Sequence, residues 1–171
     1  MSTTSTNKRP LLIDRPWSAK AYFTNRSIKS LVDVNLAGMD LLLDGTAANF
    51  DGALVDTAYA VNHGTLEAVI ALFLAYNGSQ QSFTADTVVP VAWDIVPQAG
   101  AGMQPERKTL ELPEICIPVP SVETTAANTP GAAKNRGLWV PRGVQLFGAW
   151  INPAATTWAY GTHLVCLGGL Y

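Results

Sequence analysis

The sequence predicts a mainly β fold, a jelly-roll-like β-sandwich with an extended N-terminal arm. Three observations predict it. Short runs rich in Val, Ile, Leu and aromatic residues are separated at close intervals by Gly, Asn, Asp and Pro, the punctuation of strands and turns. Pro90, Pro113, Pro118, Pro120 and Pro141 lie in or beside those runs, and a residue without an N–H marks sheet edges, bulges or strand ends. The charges are divided unevenly. Residues 1–30 carry Lys8, Arg9, Arg15, Lys20, Arg26 and Lys29 against Asp14, a net of +5, whereas residues 31–171 carry five bases against twelve acids, a net of −7.

The elements follow in order. Residues 1–10 have no apolar periodicity and are expected to lack fixed structure. Residues 11–30 set Leu11, Leu12, Ile13, Trp17, Tyr22 and Phe23 among Arg15, Lys20 and Arg26. Two readings of this stretch stay open: an arm that docks on a neighbour, or a first strand on the chain's own body. The domain division is therefore an arm over 1–30 and a β-sandwich body over 31–171. Strands are expected near 31–36, 39–43, 54–61, 66–76, 87–96, 109–119, 138–150 and 157–168. Asp44-Gly45, Asp51-Gly52 and Asn77-Gly78 supply turns. Residues 97–105 and 121–137 read as loops. The run Leu66 to Tyr76 is apolar on both faces and could be a buried helix. A central strand is favoured because Val69, Ile70 and Phe73 prefer strands and Asn-Gly follows. In the last run Trp158, Tyr160, Leu164 and Cys166 share one face, and Thr157, Ala159, Gly161 and His163 the other.

Composition narrows the function classes. The 171 residues suit one domain with a substantial core. The chain is 48% hydrophobic and only 14% charged, below the usual quarter for soluble domains; either much of the surface is buried by partners or the exterior is covered by Thr, Asn, Gln, Ala and Gly, and both are common in proteins that assemble. A net charge of −2 argues against a dedicated nucleic-acid binder. MSTTSTNKRP lacks the apolar core of a secretory signal, and Ala68 to Tyr76 is too short to span a bilayer as a helix. A soluble product of the cytoplasm, with no membrane partner, is expected.

No catalytic or cofactor motif emerges. His63 and His163 could meet in space, but a cupin-type metal site needs a third imidazole or its equivalent, and the chain has two histidines. Cys116 and Cys166 sit in apolar runs and read as buried thiols, with a disulfide open. Asp40, Asp44, Asp51 and Asp56 do not have EF-hand spacing and read as turn and strand-face charges. No Gly-x-Ser-x-Gly elbow is present. Neither enzyme activity nor a cofactor nor a metal is expected. Trp17, Trp93, Trp139, Trp150 and Trp158 either fill core and interfaces or line a sugar-binding groove, and the first reading is favoured.

The pieces Leu66-Glu-Ala-Val-Ile-Ala-Leu-Phe-Leu-Ala-Tyr76, Pro113-Glu-Ile-Cys-Ile-Pro-Val-Pro120, Gly143-Val-Gln-Leu-Phe-Gly-Ala-Trp-Ile-Asn-Pro153 and His163-Leu-Val-Cys-Leu-Gly168 resemble, in style and order, the cement and decoration proteins of tailed-bacteriophage capsids. The resemblance covers about two thirds of the chain and includes no diagnostic motif. It implies a non-enzymatic virion protein, typically a trimer at capsid three-fold positions, whose partner is the major capsid protein. The residues expected to make capsid or subunit contacts are Arg15, Trp17, Lys20, Tyr22, Phe23 and Arg26. The alternative is a glycan-binding or tail-associated jelly-roll module.

Overall fold

The computed structural model describes residues 15–24, 26–32, 35–48, 50–76, 87–99, 105–113, 137–152 and 161–170. Among them the chain is mainly β. Nine strands run in the order β1 Arg15–Phe23, β2 Met39–Asp44, β3 Gly52–Asn62, β4 Ala68–Ala75, β5 Val88–Val96, β6 Arg107–Thr109, β7 Leu138–Pro141, β8 Gln145–Ile151 and β9 Thr162–Leu170. One sheet has the order β1-β9-β3-β6, with β7 also on β3; the other has the order β2-β8-β4-β5. All the strand pairs are antiparallel.

Alternation places the core. In β9, Leu164 and Cys166 are fully buried while His163 and Val165 are half-buried on the opposite face. Facing them from the second sheet are Ile70, Leu72 and Leu74 of β4 and Leu146 and Trp150 of β8, which join Phe23, Val55, Ala58 and Ala60 in one apolar cluster. Gly148 lies on this inner face because nothing larger fits: a Cβ there would stand 2.6 Å from Leu164 Cδ2 and 3.1 Å from Leu42 Cδ1. At the open side of the sandwich, Lys108 of β6 reaches Asp94 of β5 at 3.1 Å, tying the two sheets across their edges.

Within the run 66–76, Ala68–Ala75 form a strand, β4, that is buried on both faces. Three expectations need correction. No strand forms over the described part of 31–36. The chain turns there and enters a single 3-10 turn, Leu36–Gly38, because the Asn35 carboxamide oxygen accepts the Ala37 N–H and the Asn35 carbonyl accepts the Gly38 N–H. The run 138–150 is two strands. Gly143 adopts φ +83°, which favours glycine, and its N–H donates to the Gly45 carbonyl at 2.8 Å, so β7 and β8 part at Pro141–Val144 and enter different sheets. The strand expected at 109–119 is also corrected: only Thr109 of it lies in β6, residues 110–113 are not strand, and the Leu110 N–H donates instead to the Ala58 carbonyl. Residues 114–119 lie outside the described residues, as do 157–160 of the last run and the Asn77-Gly78 turn.

Candidate functional site: the outer faces of the two sheets

The six expected contact residues all lie on or beside β1. Residues 15–23 pair with β9 over their whole length, from Arg15 opposite Leu170 to Phe23 opposite Thr162. They form an edge strand of this chain's own sheet, which is the second of the two readings above. The alternation of β1 then separates the candidates. Phe23 is 1% exposed and belongs to the core, and Trp17 packs partly against the same cluster. Lys20 and Tyr22 point outward, and Arg15 is exposed at the strand's start. Arg26 is paired with Asp40. The apolar anchors Trp17 and Phe23 are thus turned toward the core, Arg15, Lys20 and Tyr22 are turned away from it, and Arg26 is engaged by Asp40.

The outward residues of the first sheet form two rows across four strands. Tyr22, His163, Val61 and Arg107 make one, and Lys20, Val165, Tyr59 and Thr109 the other. The two histidines do meet. Their ring centroids are 5.2 Å apart in an edge-on arrangement, and Tyr22 stacks on His163 at 4.3 Å. The His163 pKa is held below its ordinary value by burial first, and then by the neighbouring His63 and Lys20. The Arg107 guanidinium lies over the Tyr59 ring at 5.0 Å, a cation–π contact. Beneath this corner, Asn62 is fully buried. It donates to the carbonyls of Leu66 and Val96 and accepts from the Gly64 N–H and the Thr162 hydroxyl, so it joins β3, β5 and β9 at one end of the sandwich.

The second sheet's outer face is different in kind. Its rows read Ile151, Val69, Ile95; then Met39, Ala149, Ala71, Trp93; then Leu41, Phe147, Phe73, Pro90; then Asp44, Gln145, Ala75, Val88. The first three rows carry no charged side chain, and the fourth ends in Gln145 and the exposed Asp44 at one end of the face. An antiparallel sheet with one wet face alternates apolar and polar residues, so an apolar second face implies a second layer over it. The segment after β1 meets this face at its margin. Ile28 forms an isolated parallel bridge with Ile151 at the end of β8, its N–H donating to the Trp150 carbonyl and its carbonyl accepting from the Asn152 N–H, and its buried side chain joins the apolar cluster of the face; Leu31 packs against the same cluster. Phe73 and Ala71 are fully buried there, but Trp93 and Ile95, on the β5 side, remain 53% and 52% exposed. This face was not singled out from the sequence. Its signal was present in the two-faced apolarity of 66–76.

Among the described residues the acidic side chains do not converge. Asp40 pairs with Arg26, and Asp51 stands 4.0 Å from Arg142. Asp44 accepts from the Thr46 hydroxyl, the Thr46 N–H and the Gln145 amide, which hold its pKa below the usual value, the Thr46 hydroxyl most. Asp56 occupies a bulge of β3 beside a cleft of about 270 Å³ lined also by Thr57, Thr109, Leu110, Glu111 and Leu112, and burial raises its pKa. Among the described residues no three His, Cys, Asp or Glu groups stand together as metal ligands. Cys166 is a free, buried thiol pushed up to about 12 by burial, which leaves it protonated and a poor nucleophile. Cys116 and Trp158 lie outside the described residues. Of the other tryptophans, Trp150 is core, Trp93 is on the second sheet's outer face, and Trp139 is 42% exposed on β7 of the first sheet. No family model, curated protein or solved structure matches the chain.

Proposed function

We propose that this chain is a structural virion protein that binds and stabilises an assembled capsid lattice, a cement or decoration protein. The observation that carries the reading is the largely apolar outer face of the second sheet, buried in part together with Ile28 and Leu31 and exposed at Trp93 and Ile95. Such a face belongs to a body that functions against other protein. The strand order supports a jelly roll within the sandwich class: β1, β9, β3 and β6/β7 in one sheet and β2, β8, β4 and β5 in the other correspond to two interleaved Greek keys. Jelly rolls serve in capsids and lectins alike, so fold alone does not choose. The tryptophans favour the capsid reading. A glycan site wants two or three in one groove, whereas the exposed Trp93 and Trp139 stand on different sheets.

The mechanism is linkage. A protein that binds the closed lattice and not its free subunits stabilises the lattice in proportion to the logarithm of its concentration over its dissociation constant. The basic stretch at the start of the chain, entering the body at the β1 edge, supplies the electrostatic part of attachment to acidic capsid subunits. The test is co-sedimentation of purified protein with assembled virus particles from the chain's source and with their dissociated capsid subunits. Saturable binding to particles alone is expected. Equal binding to free subunits, or no binding to particles together with retention on a glycan array, would overturn the proposal.

A further inference from the structure

We propose that the outer face of the first sheet, at the end formed by Lys20, Tyr22, His63, His163 and Arg107, is a docking surface for an acidic polypeptide segment. The inference goes beyond the proposed function: it concerns the other sheet, and it describes a property of the isolated chain.

Register places these residues together. Tyr22 on β1 stands opposite His163 on β9, His163 opposite Val61 on β3, and Val61 opposite Arg107 on β6. Lys20 lies two residues from Tyr22 along β1 and so points the same way. His63 follows the end of β3, and its ring stands 5.2 Å from that of His163. Lys20, Tyr22, His63 and Arg107 are exposed, and His163 is half-buried.

The positive charge of this patch is not compensated within the described chain. Arg26 has Asp40, Lys108 has Asp94, and Arg142 has Asp51 at 4.0 Å. Among the described residues Lys20 and Arg107 form no ion pair. Neither of the two rows that hold them contains a carboxylate. Glu106 and Glu67 adjoin the patch in sequence, but neither acts on His163, whose pKa is lowered by burial first and then by His63 and Lys20. A chain of net charge −2 thus leaves two permanent cations unpaired at one end of one face.

Two kinds of chain could answer that charge: a polypeptide with carboxylates or a nucleic-acid strand with phosphates. The rings favour the first. A single strand is held by bases stacked on open aromatic faces. Here Tyr22 is stacked on His163 at 4.3 Å and lies against Gly161, where a Cβ would come within 2.6 Å of its ring. Arg107 covers the Tyr59 ring at 5.0 Å. Those ring faces are used within the chain, and what remains outward is donors. A guanidinium stacked on a ring keeps its in-plane N–H groups, whose fork matches a carboxylate. Lys20 offers an ammonium, and each neutral imidazole offers one N–H. From β1 to β6 is three strand spacings, about 14 Å, which extended chain spans in about four residues. One short acidic stretch therefore reaches Lys20, the histidines and Arg107 together.

The experiment is fluorescence anisotropy of a labelled peptide of about six glutamates, titrated with the whole chain at about 25 mM salt, where exposed charges are weakly screened. Saturable binding is expected, with none to a glutamine peptide of the same length. Lys20→Gln combined with Arg107→Gln should raise the dissociation constant at least about tenfold. Arg142→Gln, between β7 and β8 at the other end of β3, should leave it unchanged. Circular dichroism checks folding, and Lys20→Gln alone, with a rise of at least about threefold, decides the matter if the double variant unfolds. A wild-type chain that does not bind the peptide would overturn the inference. So would binding that is indifferent to Lys20 and Arg107, or that is lost instead on Lys8→Gln with Arg9→Gln. Tighter binding of an oligothymidylate of the same length would also overturn it, by assigning the face to nucleic acid. Particle co-sedimentation reads the proposed function separately.

Discussion

Replacing Phe73 by Ala tests whether the outer face of the second sheet is a second core layer. In a sandwich with wet outer faces, residues of β4 that point away from the inter-sheet core contribute little, and their truncation costs a few tenths of a kcal/mol. Phe73 points away from that core, yet it is fully buried in a cluster with Ile28, Met39, Ala71, Phe147 and Ile151. Its ring therefore leaves a cavity walled by apolar groups when removed. A buried Phe→Ala change costs about 3–5 kcal/mol, from lost transfer energy plus the cavity. With a urea m-value of about 2 kcal/mol/M, the midpoint should fall by about 1.5–2.5 M. Leu72→Ala, one residue away on the inner face and equally buried, gives the internal standard and should cost about 2–5 kcal/mol. The assay is urea denaturation followed by far-UV circular dichroism and tryptophan fluorescence. A loss below about 1 kcal/mol for Phe73→Ala beside a large loss for Leu72→Ala would refute the second layer and remove the main support for a protein-covered face.

Three further outcomes are expected. Gly148→Val should destabilise by several kcal/mol or prevent folding, because its Cβ would meet Leu164 and Leu42 at 2.6 and 3.1 Å; a soluble variant of unchanged midpoint would show that the inner face has slack. Deleting residues 1–14 should leave a folded body with weaker particle binding, whereas deletion through Phe23 removes the nine-residue β1 ladder and a core phenyl ring and should yield insoluble protein; equal solubility would refute the role of β1. His163 has a folded pKa below its ordinary 6.5, so the unfolded chain takes up the proton first. Stability should be level above about pH 6.5, fall as pH drops toward the folded value, and level again below it. Urea midpoints between pH 8 and pH 5 measure this, His163→Gln should flatten the slope, and a midpoint that rises on acidification would contradict it.

What could be read in the sequence depended on how many demands each residue answers. In β9, His163, Leu164, Val165 and Cys166 face only a core and a solvent side, so alternation alone located the strand and the Leu164 and Cys166 face. β1 was ambiguous for a chemical reason. Ala19, Ala21 and Phe23 alternate with Lys20 and Tyr22 as a half-buried strand does, but the density of cations also suits a docking arm; pairing with β9 resolves the two for residues 15–23. In Leu31-Val-Asp-Val-Asn-Leu36 the apolar residues were read as strand alternation. The described part instead turns, and Leu31 packs onto the outer face of a sheet formed by later residues. No local pattern can report that, since the surface it meets is assembled from β2, β8 and β4. The same holds for the candidate surface. Trp93 is half exposed and Trp150 buried, yet each stands in an apolar strand run, and only the register opposite Ala71 and Ile70 assigns them to opposite faces. The two-faced apolarity of 66–76 did foreshadow that difference. A strand buried on both sides requires a layer on both sides, and at Trp93 and Ile95 the second layer is incomplete among the described residues.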